Sequence, residues 1–352
     1  MTPKERVLTA LSHQQPDVTP CNYMGTPEID EKLRNQFAAD SMDVVLEHLG
    51  TDLRFINAAY IGPELKRWED GRFETYWGWI VKPVVNQAGT YLESACLPLA
   101  ECQTIRDVEN FRWPKVEWFD YERLAGLCER YAEYAIIYGS SGNLDLINGI
   151  SNARGTEQVI LDIATEDPVG MACMEKRFEI CYGRSEKALQ ACAGKVDIFW
   201  IGDDYGTQNG LLISPKVWRK LFFPKVKAMC ELGHRYGAKV MMHSCGSTRK
   251  IWPDLIEAGV DIYDTIQPEA ADMDPAELKK EFGDRICFHG TISIQKTLPF
   301  GTKEEVIAEV HERIRTVGKN GGFILAPAHN IQPDTPVENI LAMYEARKTF
   351  RK

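Results

Sequence analysis

The sequence lacks several common signatures, and each absence narrows what it can be. Its ten cysteines include no CxxC pair and no framework spacing, so they read as buried reduced thiols rather than a disulfide scaffold. No GxGxxG or GxxxxGK[ST] loop follows any early apolar run, which weakens a nucleotide-binding doubly wound sheet. Lysines and arginines are interleaved with acidic residues and the net charge is −10, which argues against nucleic acid as a partner. No stretch approaches the roughly 20 apolar residues of a membrane span. The opening residues, MTPKERVLTALSHQQPDVTP, have no basic start followed by a long apolar core, so no signal peptide is read and a cytoplasmic location is expected.

What is present is a recurrence. Eight apolar runs appear, each followed by a loop and a helical pattern: TPCNYM (19–24), DLRFINA (52–58), YAIIYGS (134–140), VDIFWIGDD (196–204), AKVMMHS (238–244), VDIYDTI (260–266), RICFHG (285–290) and GGFILAP (321–327). Strands alternating with helices imply a parallel sheet, and eight near-continuous apolar strands predict closure into a (β/α)8 TIM barrel. Thr26-Pro27, Ser214-Pro215 and Thr335-Pro336 each set a capping hydroxyl before a proline suited to a first helical turn. Thr302 with Glu305 and Thr335 with Glu338 have the spacing of capping boxes. Residues 1–352 read as one barrel domain. Its irregular part is 59–133, where GRFETYWGWIVKPVVNQAGTYLESA alternates aromatic and polar residues around Asn86-Gln87-Ala88-Gly89, a β-hairpin insertion between strands two and three that is either a lid or a cap.

Barrel enzymes carry their chemistry at the C-terminal ends of the strands. Strand four ends in Asp203-Asp204, strand five in His243-x-Cys245, strand six leads to Gln267-Pro268-Glu269, strand seven ends in His289 and strand eight leads to His329. His243 and Cys245, two apart, leave their strand on one side. With His329 they make a zinc-like set of two imidazoles and one thiol; the competing reading is a core histidine beside a packed thiol. Asp203 and Asp204 are read as acid/base, substrate or orienting groups, or alternatively as an N-cap for the loop and helix that start near Ser214 or members of a salt bridge. His289 and Gln267 are expected to contact substrate, Glu269 to add a metal oxygen or lie on the surface, and Tyr23, Met24 and Asn57 to line the pocket.

The stretches GDDYGTQNGLLISPKVWRKLFFP, HSCGSTRKIWPDLIEAGVDIYDTIQPEAADMDPAELKKEFGDRICFHG and GGFILAPAHNIQPDTPVENILAMYEA resemble the uroporphyrinogen decarboxylase superfamily of (β/α)8 barrels. The resemblance implies one of two activities. The decarboxylase proper is metal-free and grips porphyrinogen carboxylates with arginines after the first strand, where this chain has CNYMGTPEIDEKLR and no arginine before Arg34. The other branch comprises zinc-dependent methyltransferases that exchange a methyl group with the cobalt of a corrinoid (cobalamin) protein. Their zinc is held by a His-x-Cys pair, matched by His243 and Cys245, and by a distant cysteine whose place His329 takes. The resemblance therefore implies zinc, a small-molecule methyl donor or acceptor and, with no DxHxxG motif in the chain, a corrinoid carried by a partner protein. Two neutral imidazoles and one thiolate would leave zinc formally cationic, favouring an oxygen-bound methyl group, as in O-demethylation of a methoxylated aromatic; Trp68, Tyr76, Trp77 and Trp79 are read as walls for its ring or, alternatively, as packing.

Overall fold

The computed structural model describes residues 1–86 and 89–350. Its strands are β1 (Leu53–Ile56), β2 (Ala59–Tyr60), β3 (Phe73–Glu74), β4 (Ile80–Asn86), β5 (Gly89–Ser94), β6 (Phe119–Asp120), β7 (Ala135–Leu144), β8 (Ile198–Gly202), β9 (Lys239–His243), β10 (Ile262–Ile266), β11 (Cys287–Ile292) and β12 (Phe323–Pro327). Seven of them form one parallel sheet in the order β1-β7-β8-β9-β10-β11-β12. Each crossover carries at least one helix on the outer face, so the strands are covered on both sides and read as continuous apolar runs.

The predicted first strand is reduced to an extended segment that closes the ring. Asn22 N–H donates to Leu325 O at 2.9 Å and Leu325 N–H to Pro20 O at 2.9 Å, while Asp52 N–H donates to Cys21 O at 3.0 Å, so the segment lies between β12 and β1. Only isolated bridges form, Cys21 with Leu325 and Gly25 with Ile331. Two local facts shorten the ladder. Pro20 has no N–H to give, and Cys21 N–H is taken by the Asp52 side chain at 2.8 Å.

Inward-facing side chains fill the ring. Leu53, Ala135, Ile137, Ile198, Trp200, Met241, Ile262, Cys287 and Ile324 form one buried cluster with Val7 and Leu11, which the helix Pro3–Leu11 pushes into the lower end. The alternate residues, among them Phe199, Val240, Tyr263, Phe288 and Leu325, join the larger outer core beneath the helices.

The segment 59–133 departs from the repeat. It contains the two-stranded pair β2–β6, the antiparallel sheet β3-β4-β5 and the helices Ile105–Asn110 and Glu122–Arg130. The hairpin of β4 and β5 is formed as expected, with Val81 paired to Ser94 and Val85 to Thr90, although Gln87 and Ala88 of its turn lie outside the described residues. Trp77 and Trp79 stack at 5.7 Å and are buried within this excursion. At one end Ser94 Oγ donates to Asn152 O at 2.6 Å, and at the other Tyr91 Oη donates to Gln332 Oε1 at 2.8 Å.

Of the expected caps, Ser214 accepts from Val217 N–H and Thr302 with Glu305 closes a full capping box. The other two do not form: Thr26 makes no side-chain cap, and the helix Val337–Thr349 starts at Pro336, leaving the buried Thr335 hydroxyl without a partner.

Asp52, 1 % exposed, is the knot of the closure. Besides Cys21 it binds Arg6 of the first helix and Arg347 of the last, the latter at 2.6 Å. Removing one side of a buried ion network strands the remaining charges. Asp52→Ala is expected to lower unfolding free energy by about 3–5 kcal/mol in urea titrations, without displacing the site residues at the opposite end.

Candidate metal centre at the barrel mouth

One step above the apolar layer, three neighbouring strands turn polar. Met241, Ile262 and Cys287 lie in the lumen, so strand alternation returns His243, Asp264 and His289 to the same side two residues later. Asp264 pairs in register with His243 across β9 and β10, placing a carboxylate between the two histidines. Asp264 Oδ2 accepts from His243 Nδ1 at 2.6 Å and Oδ1 accepts from His289 Nδ1 at 2.6 Å. Burial alone would raise the Asp264 carboxyl, but the two imidazoles hold it well below the usual carboxylate range.

With Nδ1 committed to Asp264, His243 turns Nε2 to the mouth, 3.3 Å from Cys245 Sγ. His329, in the loop after β12, brings its ring to 5.7 Å from that of His243, centroid to centroid. One ligand atom from each of His243, Cys245 and His329 falls within 4.8 Å of the others, the only such group among the described residues. Two imidazoles and a thiolate without a fourth side chain fit an open catalytic zinc site, which keeps one position for water or substrate. Burial opposes a charge on His243, yet Asp264 and Cys245 raise its imidazole well above its ordinary value. Burial pushes the Cys245 thiol up, partly offset by His243, and lowers His329, with His243 adding to that effect.

The cysteine loop is held by its backbone. Ser244 N–H donates to Asp264 O at 2.7 Å and Ser247 N–H to Thr207 O at 2.7 Å. Cys245 N–H donates to Asp204 Oδ1 at 2.9 Å, and Gly246 N–H to Gln267 Oε1 at 2.7 Å. Gly246, at φ +78°, sits so close to the neighbouring loop that a Cβ there would lie 2.5 Å from Thr207 O.

These contacts sort the remaining expected site residues. Asp204 is at the rim, 30 % exposed, with Oδ1 also 3.7 Å from His243 Nε2. Asp203 is buried and accepts from Leu146 and Ile147 N–H, each at 3.0 Å, so it ties down the start of the helix Leu146–Arg154 rather than the expected helix near Ser214, which Ser214 itself caps. Gln267 supports the cysteine loop. His289 is fully buried with both ring nitrogens engaged, by Asn22 and Asp264, so it is not open to a substrate in the mouth. Glu269 binds the Ser293 hydroxyl and is not gathered with the three ligand atoms. Tyr23 turns its hydroxyl to Asp30 at 2.7 Å, while Asn57 stays exposed, its amide 3.4 Å from Gly139 O. Trp77 packs under the Arg177 guanidinium at 4.1 Å rather than walling the mouth.

Asp264, Asn22 and Trp200 are the residues that strand-end reasoning passes over. A carboxylate inside the apolar run VDIYDTI was the available signal for Asp264. Asn22 Nδ2 bonds His289 Nε2 at 3.1 Å. Trp200 lies in the lumen cluster and meets the His243 ring edge-on at 6.3 Å.

Residues 89–350 match the family description "Uroporphyrinogen decarboxylase (URO-D)". The methylcobamide:CoM methyltransferase MtaA of Methanosarcina barkeri is 30 % identical over 155 residues, 44 % of this chain and 42 % of that protein. The methylated-thiol–coenzyme M methyltransferase of Methanosarcina mazei is 26 % identical over 172 residues, 49 % of this chain and 41 % of that protein. These matches thus span less than half the length of either relative. A uroporphyrinogen decarboxylase of Anaeromyxobacter sp. is 22 % identical over 200 residues, 56 % of this chain and 53 % of that protein. Among solved structures, a methyltransferase from Methanosarcina mazei superposes with TM-score 0.66 and 18 % identity over 99 % of both chains, which shows the shared barrel fold. No helix among the described residues is long and apolar enough to cross a membrane.

A metal ion must displace the protons that His243 and Cys245 hold, so affinity should climb as pH rises and fall as it drops. Equilibrium dialysis is expected to find about one zinc per chain, lost in His243→Ala, Cys245→Ala and His329→Ala. Asp264→Asn, which keeps the volume but not the charge, should weaken binding by about 10–100-fold.

Proposed function

The chain belongs to the uroporphyrinogen decarboxylase (URO-D) family, and from that premise we propose that it moves a methyl group between a small molecule and the cobalt of a corrinoid on a separate protein. The reading rests on one observation, the His243, Cys245 and His329 set at the C-terminal mouth of the barrel. The printed activities of its methanosarcinal relatives, methyl transfer to coenzyme M from a cobamide or a methylated thiol, support it.

Zinc held by these three residues supplies Lewis acidity to the heteroatom that gives up or takes the methyl group. The chain's own residues determine which heteroatom that is. Two neutral imidazoles and one thiolate leave the centre a formal positive charge, whereas a second thiolate in place of His329 would cancel it. A cationic centre suits oxygen, so we favour a methyl ether, with a methoxylated aromatic as the substrate class and O-demethylation as the direction. Trp200, tilted against Phe55 at 5.5 Å, and Met24 give the lumen beneath His243 an apolar floor suited to an uncharged ring. In this reading Asp204, which also accepts from Cys245 N–H and Asn148 Nδ2, takes a further hydrogen bond from a ring hydroxyl.

A decarboxylase of an acidic tetrapyrrole is the less favoured alternative. Its substrate needs cations, yet Arg34 is exposed on the outer helix Pro27–Phe37 and the mouth carries Asp204 instead. The hairpin of β4 and β5, which runs from Asn152 to the loop holding His329, serves in this reading as a lid that excludes water during transfer.

Incubating the zinc-loaded protein with a methoxylated benzene and a cobalt(I) corrinoid is expected to yield methyl-cobalt absorbance and the matching phenol. His329→Cys should keep the metal while shifting preference from ether to thiol. Carbon dioxide release from a porphyrinogen, with no methyl transfer from any ether or thiol, would overturn the proposal.

A further inference from the structure

Below the metal ligands runs a chain of hydrogen bonds whose direction is set at its far end. Tyr23 N–H, a backbone group that can only donate, donates a hydrogen bond to Asn22 Oδ1 at 2.9 Å. That fixes the amide, so Asn22 Nδ2 must donate to His289 Nε2 at 3.1 Å. His289 Nε2 is therefore the lone pair, and its proton sits on Nδ1, donated to Asp264 Oδ1 at 2.6 Å. Asp264 Oδ2 takes the Nδ1 proton of His243, also at 2.6 Å, which leaves His243 Nε2 as the nitrogen facing Cys245. Asn22, His289 and Asp264 are each at most 1 % exposed, so water does not repair a broken link.

We propose that His289, anchored by Asn22, is a positioning residue that sets metal affinity two links away from the ion. This inference rests on the metal-dependent reading above. Its physical content is the hydrogen on His289 Nδ1. If that donor is removed, Asp264 Oδ1 becomes a buried acceptor without a partner. The carboxylate then has one donor left, His243 Nδ1–H, and turning to share it between both oxygens carries the His243 ring off its line to Cys245 and His329. The donor matters here and the bulk does not. A glutamine at 289 reaches Asp264 with an amide N–H and offers its oxygen to Asn22 Nδ2, preserving the direction of the chain. A leucine of the same size does neither.

The test compares His289→Gln with His289→Leu in chelator competition for zinc, with near-ultraviolet circular dichroism of the metal-free forms as the check on folding. The expected result is a glutamine variant within about 3-fold of the unmodified protein and a leucine variant weaker by about 10-fold or more. Cobalt(II) in the leucine variant should show a reduced thiolate-to-metal band. Equal weakening in both variants would mean that His289 only fills space and would overturn the inference. So would nitrogen-15 spectra of the metal-free, unmodified protein that place the His289 proton on Nε2, a readout that needs no variant to fold. Should the unmodified protein itself fail to bind zinc in the competition, the fault lies with the metal reading; tight binding with glutamine and leucine indistinguishable rejects only the role of His289.

Discussion

A carboxylate with no exposure to solvent is expensive inside a barrel, and this molecule is arranged to keep one. Asp264 survives because each of its oxygens receives an imidazole N–H, one from His243 and one from His289. The consequences reach outward. Satisfying Asp264 commits Nδ1 of His243, committing Nδ1 frees Nε2, and Nε2 then joins a thiol and a second imidazole arriving from neighbouring loops. A metal at the mouth would thus be oriented by groups it never touches.

The barrel supplies the geometry for this without adjustment. Positions two apart on β9, β10 and β11 return to the lumen, so replacing the apolar layer of Met241, Ile262 and Cys287 with a polar layer one step higher brings His243, Asp264 and His289 together. Precision beyond that comes from the loops. The backbone of the Cys245 turn is held at four successive N–H groups, by the Asp204 and Gln267 side chains and by the Asp264 and Thr207 carbonyls, which fixes where the cysteine Cα stands. Asp203, beside Asp204 in sequence, faces the other way and caps a helix, which shows how sharply one step along a strand end separates a site residue from a scaffold residue.

Much of this was legible in the residue pattern, and the parts that were not share a cause. Strand periodicity and cap chemistry located seven sheet strands, and the His243-x-Cys245 spacing with His329 named the gathered ligand atoms. The eighth strand was overread because alternation of side chains says nothing about who takes a backbone N–H, and at Cys21 a side chain takes it. Ending a strand marks His289 as a substrate contact, but its Nε2 is taken by Asn22, 267 residues away, and such a pairing leaves no local mark. Thr335 with Glu338 had the right spacing for a capping box, yet Pro336 moved the helix start past it.

The knot at Asp52 has a bearing on how the chain comes together in time. Arg347, which ties it, lies 295 residues further along. During synthesis the segment 19–24 and β1 emerge long before β12, so one edge of the growing sheet stands unpaired and exposed to wrong pairing with other chains. The ring's last backbone pairing waits for β12, and the knot at Asp52 for Arg347 of the helix that follows. A ring fastened by partners so far apart in sequence bears a loop-closure cost before its contacts reward it, which is the kind of topology that slows folding.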